Sequence, residues 1–375
     1  MDEQHSDGSV DRRALLGISA GLIGVAALAH KATAGPLSPP AGPIGSTGRT
    51  LAEIEPRTPV HSLSGDTANV HVITQSGNYC LTSDIIRTAG KTAIRIAADF
   101  VTLDLNGFSM IGNRGSSGGI ESAIEISSSR TGVVVRNGTV RGWPFYGLIG
   151  YGQRCRFENL LIDDNHAGGL EVFAPFSLVH RCIVQNSAEL SIGAGHGAVI
   201  TECVVFGGNV GITTGEASVV RDCTVHNAGT AIEVGSGVVE RCTVRCISIA
   251  GSRGIVATQS ARIEGNTVVG CSDTGIKAQF GSSVANNVIQ QCGIGIDAVG
   301  GGAVGSVGNT INRVQGNTLS ANTTGIRALN GGSMVVGNAV SGSGAQAYNL
   351  VEGNPSGAIR NSPAAATSPL DNFAF

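Results

Sequence analysis

Between Leu103 and Val340 one phrase keeps returning, and it restricts the chain to very few architectures. Residues 273–293 show it plainly. Gly275-Ile276-Lys277-Ala278 is followed by a Gly/Ser turn, then Val284-Ala285-Asn286-Asn287-Val288-Ile289, then a polar turn. Both apolar runs alternate sides and are bounded by turn residues, the pattern of very short strands. Aligned on one position of the second run, the marks are Leu160, Cys182, Cys203, Cys223, Cys242, Asn266, Asn287, Asn317 and Asn338. Their spacings are 22, 21, 20, 19, 24, 21, 30 and 21. First-run phrases fall between the marks, as at Gly169-Leu170-Glu171-Val172 and Gly211-Ile212.

A period near 21 built from short strands predicts a coil that climbs one strand spacing, roughly 4.8 Å, per turn. Each coil leaves its apolar side bare until the next stacks on it, so the repeats share one core. The 56 glycines suit the positive-φ corners that such turns need. A leucine-rich repeat has a similar period but wants a recurring Leu-x-x-Leu-x-Leu phrase and a helical segment, and neither occurs. The expectation is an all-β, single-stranded parallel β-helix of about 11 coils, with 247–253 and 300–312 as inserted loops.

The phrase Gly-Ile-x-x…Val-x-x-Cys/Asn-x-Val resembles the repeat of right-handed parallel β-helices of the pectate-lyase-like superfamily. The closest likeness is to exported bacterial β-helix proteins of undefined activity. Gly77-Asn78-Tyr79-Cys80-Leu81-Thr82 with Val101-Thr102-Leu103-Asp104-Leu105-Asn106-Gly107-Phe108 resembles their N-terminal cap. Val135-Arg136-Asn137-Gly138-Thr139-Val140 and Leu370-Asp371-Asn372-Phe373-Ala374-Phe375 are similar to their next coil and their ending. The resemblance implies a right-handed β-helix from about residue 52 to 375 and, for lyases of this kind, chemistry on an outer strand face. There, carboxylates hold Ca2+ against an acidic sugar and Arg or Lys takes a proton.

Net charge is −3 and charged residues are 14% of the chain, which gives no bulk attraction to nucleic acid. Cys182, Cys203, Cys223 and Cys242 share one repeat position and Asn follows there, so they read as an inward ladder of free thiols and amides. Cys246, Cys271 and Cys292 read likewise near the next turn, although stacked cysteines lie within disulfide range. No C-x-x-C pair suggests zinc.

Residues 1–34 read as an export signal. Arg12-Arg13 precede the uncharged stretch 14–29, and Ala32-Thr33-Ala34 offers a cleavage site. Asp11-Arg12-Arg13-Ala14-Leu15-Leu16 resembles a twin-arginine motif. A membrane is met only if this segment stays uncleaved. Residues 35–60, with six of the eleven prolines, read as a linker. Residues 61–98 read as a cap with a short helical turn at 83–90, residues 99–344 as the coils, and 345–375 as a tail without the repeat that caps the far end.

Residues 143–181 hold seven of the fifteen aromatics. Trp143, Tyr146 and Tyr151, with His180, are the candidate sugar-binding groups, because aromatic rings offer flat faces with a polar handle. Asp163, Asp164 and Glu171 are the candidate carboxylates, able to act in catalysis or hold Ca2+. His166 and Arg181 are candidate bases. The plainer reading is an ordinary Asp-Asp-Asn turn and ring packing at Phe157 and Phe176. Arg181, Glu202, Asp222 and Arg241 share one column, and Arg221 lies beside Glu240. Such opposite charges support a ladder rather than chemistry. His196 and His226 stand alone, and Gly193-Ala194-Gly195 and Gly300-Gly301-Gly302 lack the Lys and helix of a phosphate loop. These features point to an exported β-helix that contacts an extracellular or envelope polysaccharide, as a binder, lyase or hydrolase. The alternative is a non-catalytic surface scaffold. The sequence carries no signal for oligomeric state.

Overall fold

A computed structural model describes residues 56–114, 120–246, 249–300 and 311–375. The expected signal, most of the linker and parts of both inserted loops lie outside these residues. The described chain is a right-handed parallel β-helix of 13 coils. It has no α-helix among the described residues, only two short 3-10 turns, at Val60–Ser62 and Pro363–Ala365.

Each coil lays down three strands, not the two that the phrase suggests. The first ladder is a 13-stranded parallel sheet, from Asn69–Ile73 to Gln346–Leu350. The second and third ladders form one 25-stranded sheet, because Val134–Arg141 and Arg156–Asp163 run through both without a break. Elsewhere a short corner divides them, as at residues 181–182 between Leu178–His180 and Ile183–Gln185. The extra coils come from the ends. Asn69–Ile73 and Thr92–Ile96, expected as cap, are the first two strands of the first ladder, and Gln346–Leu350, expected as tail, is the last. Ile85–Ile86 is a strand where a helical turn was expected.

The corner between the second and third ladders explains the charged column. Asn137, Asn159, Arg181, Glu202, Asp222, Arg241 and Asn286 all have φ between 52° and 60° there, and Gly265, Gly316 and Gly337 take the same place. A side chain at such a corner points to solvent, so neighbouring coils pair their charges. Arg181 reaches Glu202 at 2.8 Å, and Arg241 grips Asp222 at 2.8 and 3.0 Å. Arg221 is the register partner of Glu240, but that carboxylate goes instead to Arg241 and Arg262. These pairs are largely exposed, so each contributes at most about 1 kcal/mol.

The next residue inward begins the stacked interior column. Leu160, Cys182, Cys203, Cys223, Cys242, Asn266, Asn287, Asn317, Asn338 and Asn372 are all buried. Each Asn of 287, 317, 338 and 372 takes, on its Oδ1, the main-chain N–H and side-chain Nδ2 of the Asn one coil before, at 2.9–3.2 Å. Each Nδ2 also reaches a carbonyl of the preceding coil, as from Asn317 to Val284 at 2.9 Å. The cysteine thiols touch equivalent carbonyls at 3.6–3.7 Å, a weaker version of the same contact. Neighbouring thiols first, then burial, hold Cys182 and Cys223 well above the ordinary thiol range. Cys246 and Cys271 form a disulfide between adjacent coils, which corrects the expectation of free thiols there.

Beside this column the first ladder brings small residues inward. A Cβ on Gly169 would sit 2.3 Å from Val184 Cγ1, so the recurring Gly before Ile or Leu is a packing requirement.

Candidate functional site

The structure separates the sequence-derived candidates onto three parts of the coil. Trp143 is fully buried, donating its indole N–H to the Met110 carbonyl at 3.2 Å, so it presents no face to a ligand and is corrected to a core residue. Asp163 and Asp164 close the third ladder. Asp163 accepts from Asn186 at 2.8 Å, and Asp164, at φ 55°, pairs with Arg114 at 2.5 Å. With Ile111, Arg141 and Gly142 they line a cleft of about 410 Å3. His166 follows on the turn into the first ladder, its N–H bonded to the Trp143 carbonyl. His180 ends a second-ladder strand between Glu158 and Thr201. Arg181 is at the charged corner, committed to Glu202. Asp163, Asp164, His166 and Arg181 therefore do not converge with Glu171.

Tyr146, Tyr151 and Glu171 do come together, on the outer face of the first ladder. Its parallel register stacks Tyr146 beside Gly168 and Leu190, and Ile149 beside Glu171, Gly193, Thr213 and Glu233. The Tyr146 hydroxyl bonds the Glu171 carboxylate. Burial first, then that carboxylate, pushes the tyrosine up. Glu171 is half-buried, and its own proton affinity is raised by burial and by Glu189, against the lowering effect of the Tyr146 bond. One residue past the strands, Tyr151 and Phe173 stack face to face, centroids 5.3 Å apart at 14°. Both rings are exposed, at 44% and 51%.

A cleft of about 170 Å3 opens next to them, lined by Glu171, Phe173, Gly193, Gly195 and Thr213. It exists because Gly193 has no side chain. A Cβ there would lie 2.7 Å from Leu190 Cδ2 and 3.2 Å from Glu171 Cγ. Beyond Phe173 its column continues as Gly195, Gly215 and Gly235, which leaves a low track along the coil axis.

Phe173, Glu189, Gly193, Gly195 and Thr213 were not among the sequence candidates. The signal was present in part: Tyr151 and Phe173 are 22 residues apart, as are Glu171 and Gly193, one coil in each case. Gly193 is a strand residue facing out. Among the described residues no group of three or more His, Cys, Asp and Glu side chains is placed to hold a metal ion.

The sequence profile described as right handed beta helix region matches residues 68–289 and 190–342. The chain belongs to the right-handed β-helix family. No curated protein matches it at a significant level. Among solved structures, this β-helix is similar to the A-module of the mannuronan C-5 epimerase AlgE4 of Azotobacter vinelandii. That match has 14% identity, covers 80% of this chain and 88% of that one, and has a TM-score of 0.51. It is also similar, at 14% identity and a TM-score of 0.42, to a mannuronic acid specific polysaccharide family 6 lyase from human gut microbiota, covering 80% and 82% of the two chains. The Dettilon tailspike protein matches with 14% identity and a TM-score of 0.42, over 81% of this chain and 61% of its own. At these identities the likeness is one of fold.

Proposed function

We propose that the outer face of the first ladder, over coils four to eight, binds a polysaccharide lying along the coil axis. The exposed stack of Tyr151 on Phe173, beside a cleft kept open by Gly193, carries this reading. Two aromatic rings left in water on a flat strand face have no packing role that requires their exposure, and they match the apolar faces of sugar rings. The fold likeness to a protein named as a mannuronan epimerase supports a sugar polymer as the kind of partner, by analogy of architecture alone.

Glu171 is the acid–base candidate of this face. A carboxyl whose ionisation is held back by burial and a neighbouring carboxylate keeps its proton to higher pH, as a general acid toward a glycosidic oxygen must. Tyr146 orients it. The reading is therefore a polysaccharide binder with Glu171 placed for bond cleavage. Export through residues 1–34 belongs to the same proposal, and a shorter N-terminus in protein recovered outside the cytoplasm tests it.

The test of the site incubates the protein with acidic and neutral polysaccharides, with and without Ca2+, following unsaturated-product absorbance, reducing ends and binding. Binding lost in Tyr151→Ala and Phe173→Ala supports the face. New products lost in Glu171→Gln assign cleavage to it. Silence across the panel, in binding and in products, moves the weight to a scaffold.

A further inference from the structure

The interior column changes chemistry in the middle of the solenoid. It is amide from Asn266 onward, but Cys182, Cys203, Cys223 and Cys242 fill it in coils five to eight, one in each. All four are buried free thiols. They stack without a slip. The main-chain N–H groups of Val204, Thr224 and Thr243 bond the carbonyls of Cys182, Cys203 and Cys223, each at 2.9 Å, and the strands that follow keep the same register. Successive cysteines are therefore one strand spacing apart, roughly 4.8 Å, inside the Cα range of about 4.4–6.8 Å that a disulfide spans. Each thiol also meets the next, Cys182 with Cys203, Cys203 with Cys223 and Cys223 with Cys242. The same step of one coil is already bridged close by, where Cys246 and Cys271 have Cα atoms 4.6 Å apart.

We propose that the four thiols are a covalent modification site, at which a small disulfide closes Cys182–Cys203 and Cys223–Cys242 as two bridges through coils five to eight. Only this pairing uses all four, because a Cys203–Cys223 bridge leaves the outer two apart. The Cys203 thiolate attacks one sulfur of the oxidant, R–S–S–R, and releases RS−, which leaves a mixed disulfide on Cys203. The Cys182 thiolate then attacks the Cys203 sulfur, forms the bridge and releases the second RS−. Two electrons pass to the oxidant, and the two thiol protons end on the released thiolates. Cys223 and Cys242 repeat the exchange. Cys203 begins it, because the thiols of Cys182 and then Cys223 favour its thiolate, the attacking form. The thiols hold this column through contacts of 3.6–3.7 Å, where the amides hold theirs at 2.9–3.2 Å, so these coils are the first to open and admit the oxidant. Each bridge then supplies the tie between coils that the amide ladder supplies elsewhere. The bridged coils carry Phe173, Gly193 and Thr213 on their outer face, but the chemistry holds whether or not that face binds a sugar polymer.

The experiment incubates the reduced full chain with oxidised glutathione, in urea below the unfolding transition. Remaining thiols are then alkylated in denaturant, and the chain is digested without reduction and mapped by mass spectrometry. The expected products are peptides linking Cys182 to Cys203 and Cys223 to Cys242, beside the Cys246–Cys271 link. Cys155 is as buried as these four, but its neighbours one coil away are Val133 and Ser177, so it should be recovered alkylated. Oxidation should raise the urea midpoint, and most of that rise should vanish in the double variant Cys203→Ala, Cys242→Ala, whose remaining column cysteines are two coils apart. The double variant Cys182→Ala, Cys242→Ala leaves Cys203 beside Cys223, and these two should now link. Recovery of all four thiols alkylated once Cys246–Cys271 has re-formed overturns the proposal. Glutathione retained on Cys203 with no bridge overturns it too, as does linkage of Cys155 to the column, which marks scrambling in an unfolded chain.

Discussion

Replacing Asn317 by alanine should damage the solenoid far more than replacing Cys223, although the two occupy the same column. Asn317 is buried, and its Oδ1 takes the Asn287 main-chain N–H at 3.0 Å while its Nδ2 serves the Val284 carbonyl at 2.9 Å. The alanine leaves both of those main-chain groups without this partner inside the core. Asn287 Nδ2 keeps the Ile263 carbonyl, and Asn338 Oδ1 keeps the Asn317 N–H. Two orphaned groups at about 1–3 kcal/mol each make the loss about 2–6 kcal/mol. Cys223→Ala removes one sulfur and thiol contacts of 3.2 and 3.7 Å, about 1 kcal/mol, comparable with a buried methylene. Equilibrium urea unfolding measures the difference. Hydrogen exchange at the Asn287 amide reads its cause, because that N–H should lose protection in Asn317→Ala and keep it in Cys223→Ala. Equal losses of stability, or an Asn287 amide still protected, would refute the view that the amide ladder holds the corner.

Gly193→Val should abolish polysaccharide binding by filling the cleft while leaving the circular dichroism spectrum intact, since the atoms it meets belong to the movable Leu190 and Glu171 side chains. Gly169→Ala, by contrast, should lower stability by about 1–3 kcal/mol, because its Cβ meets Val184 and the Ser191 carbonyl inside the core. The folded protein holds the Glu171 proton to higher pH than the unfolded chain does. Stability should therefore fall as pH rises from the ordinary carboxylate value through the raised folded one, and Glu171→Gln should remove that slope in urea midpoints taken from about pH 4 to 8. Reducing Cys246–Cys271, which closes a separation of 25 residues, should cost about 3 kcal/mol in the same assay. Ala217→Gly should raise stability by about 1 kcal/mol, because Ala217 is exposed at φ 55° with only the left-handed strain to lose.

The solenoid was legible because its inward columns obey a strict rule: the position that is Cys182 in one coil and Asn317 in another must be small and able to meet the same carbonyls. The third strand was not legible. It is only three residues long, as in Ile183–Gln185, and its corner is held by charged residues at positive φ, such as Arg181 and Glu202, where glycine would have announced a turn. The end coils were missed for a related reason. Asn69–Ile73 and Gln346–Leu350 place His71 and Tyr348 where the inner coils have Ile, so the phrase is broken although the register continues. Of the candidate site, Tyr146, Tyr151 and Glu171 could be found from composition, but Gly193 could not, because what it contributes is the absence of a side chain beside Glu171.

The outward columns give the more useful argument about function. A parallel stack repeats each mistake at every coil, so an unpaired charge or exposed ring costs most where the next coil carries the same kind of residue. This chain avoids that cost along the corner and at both ends of the first ladder by pairing Arg with Asp or Glu. In coils four to eight it does the opposite. It sets aromatic on aromatic at Tyr151 and Phe173, places Glu171 where Glu189 raises its proton affinity, and follows both with glycines that neither shield nor pair. Local rules broken together on one face, and kept on the others, are what a surface shaped for an external partner should show. Packing accounts for the inward residues of these coils, and this outward departure is what the proposed ligand accounts for.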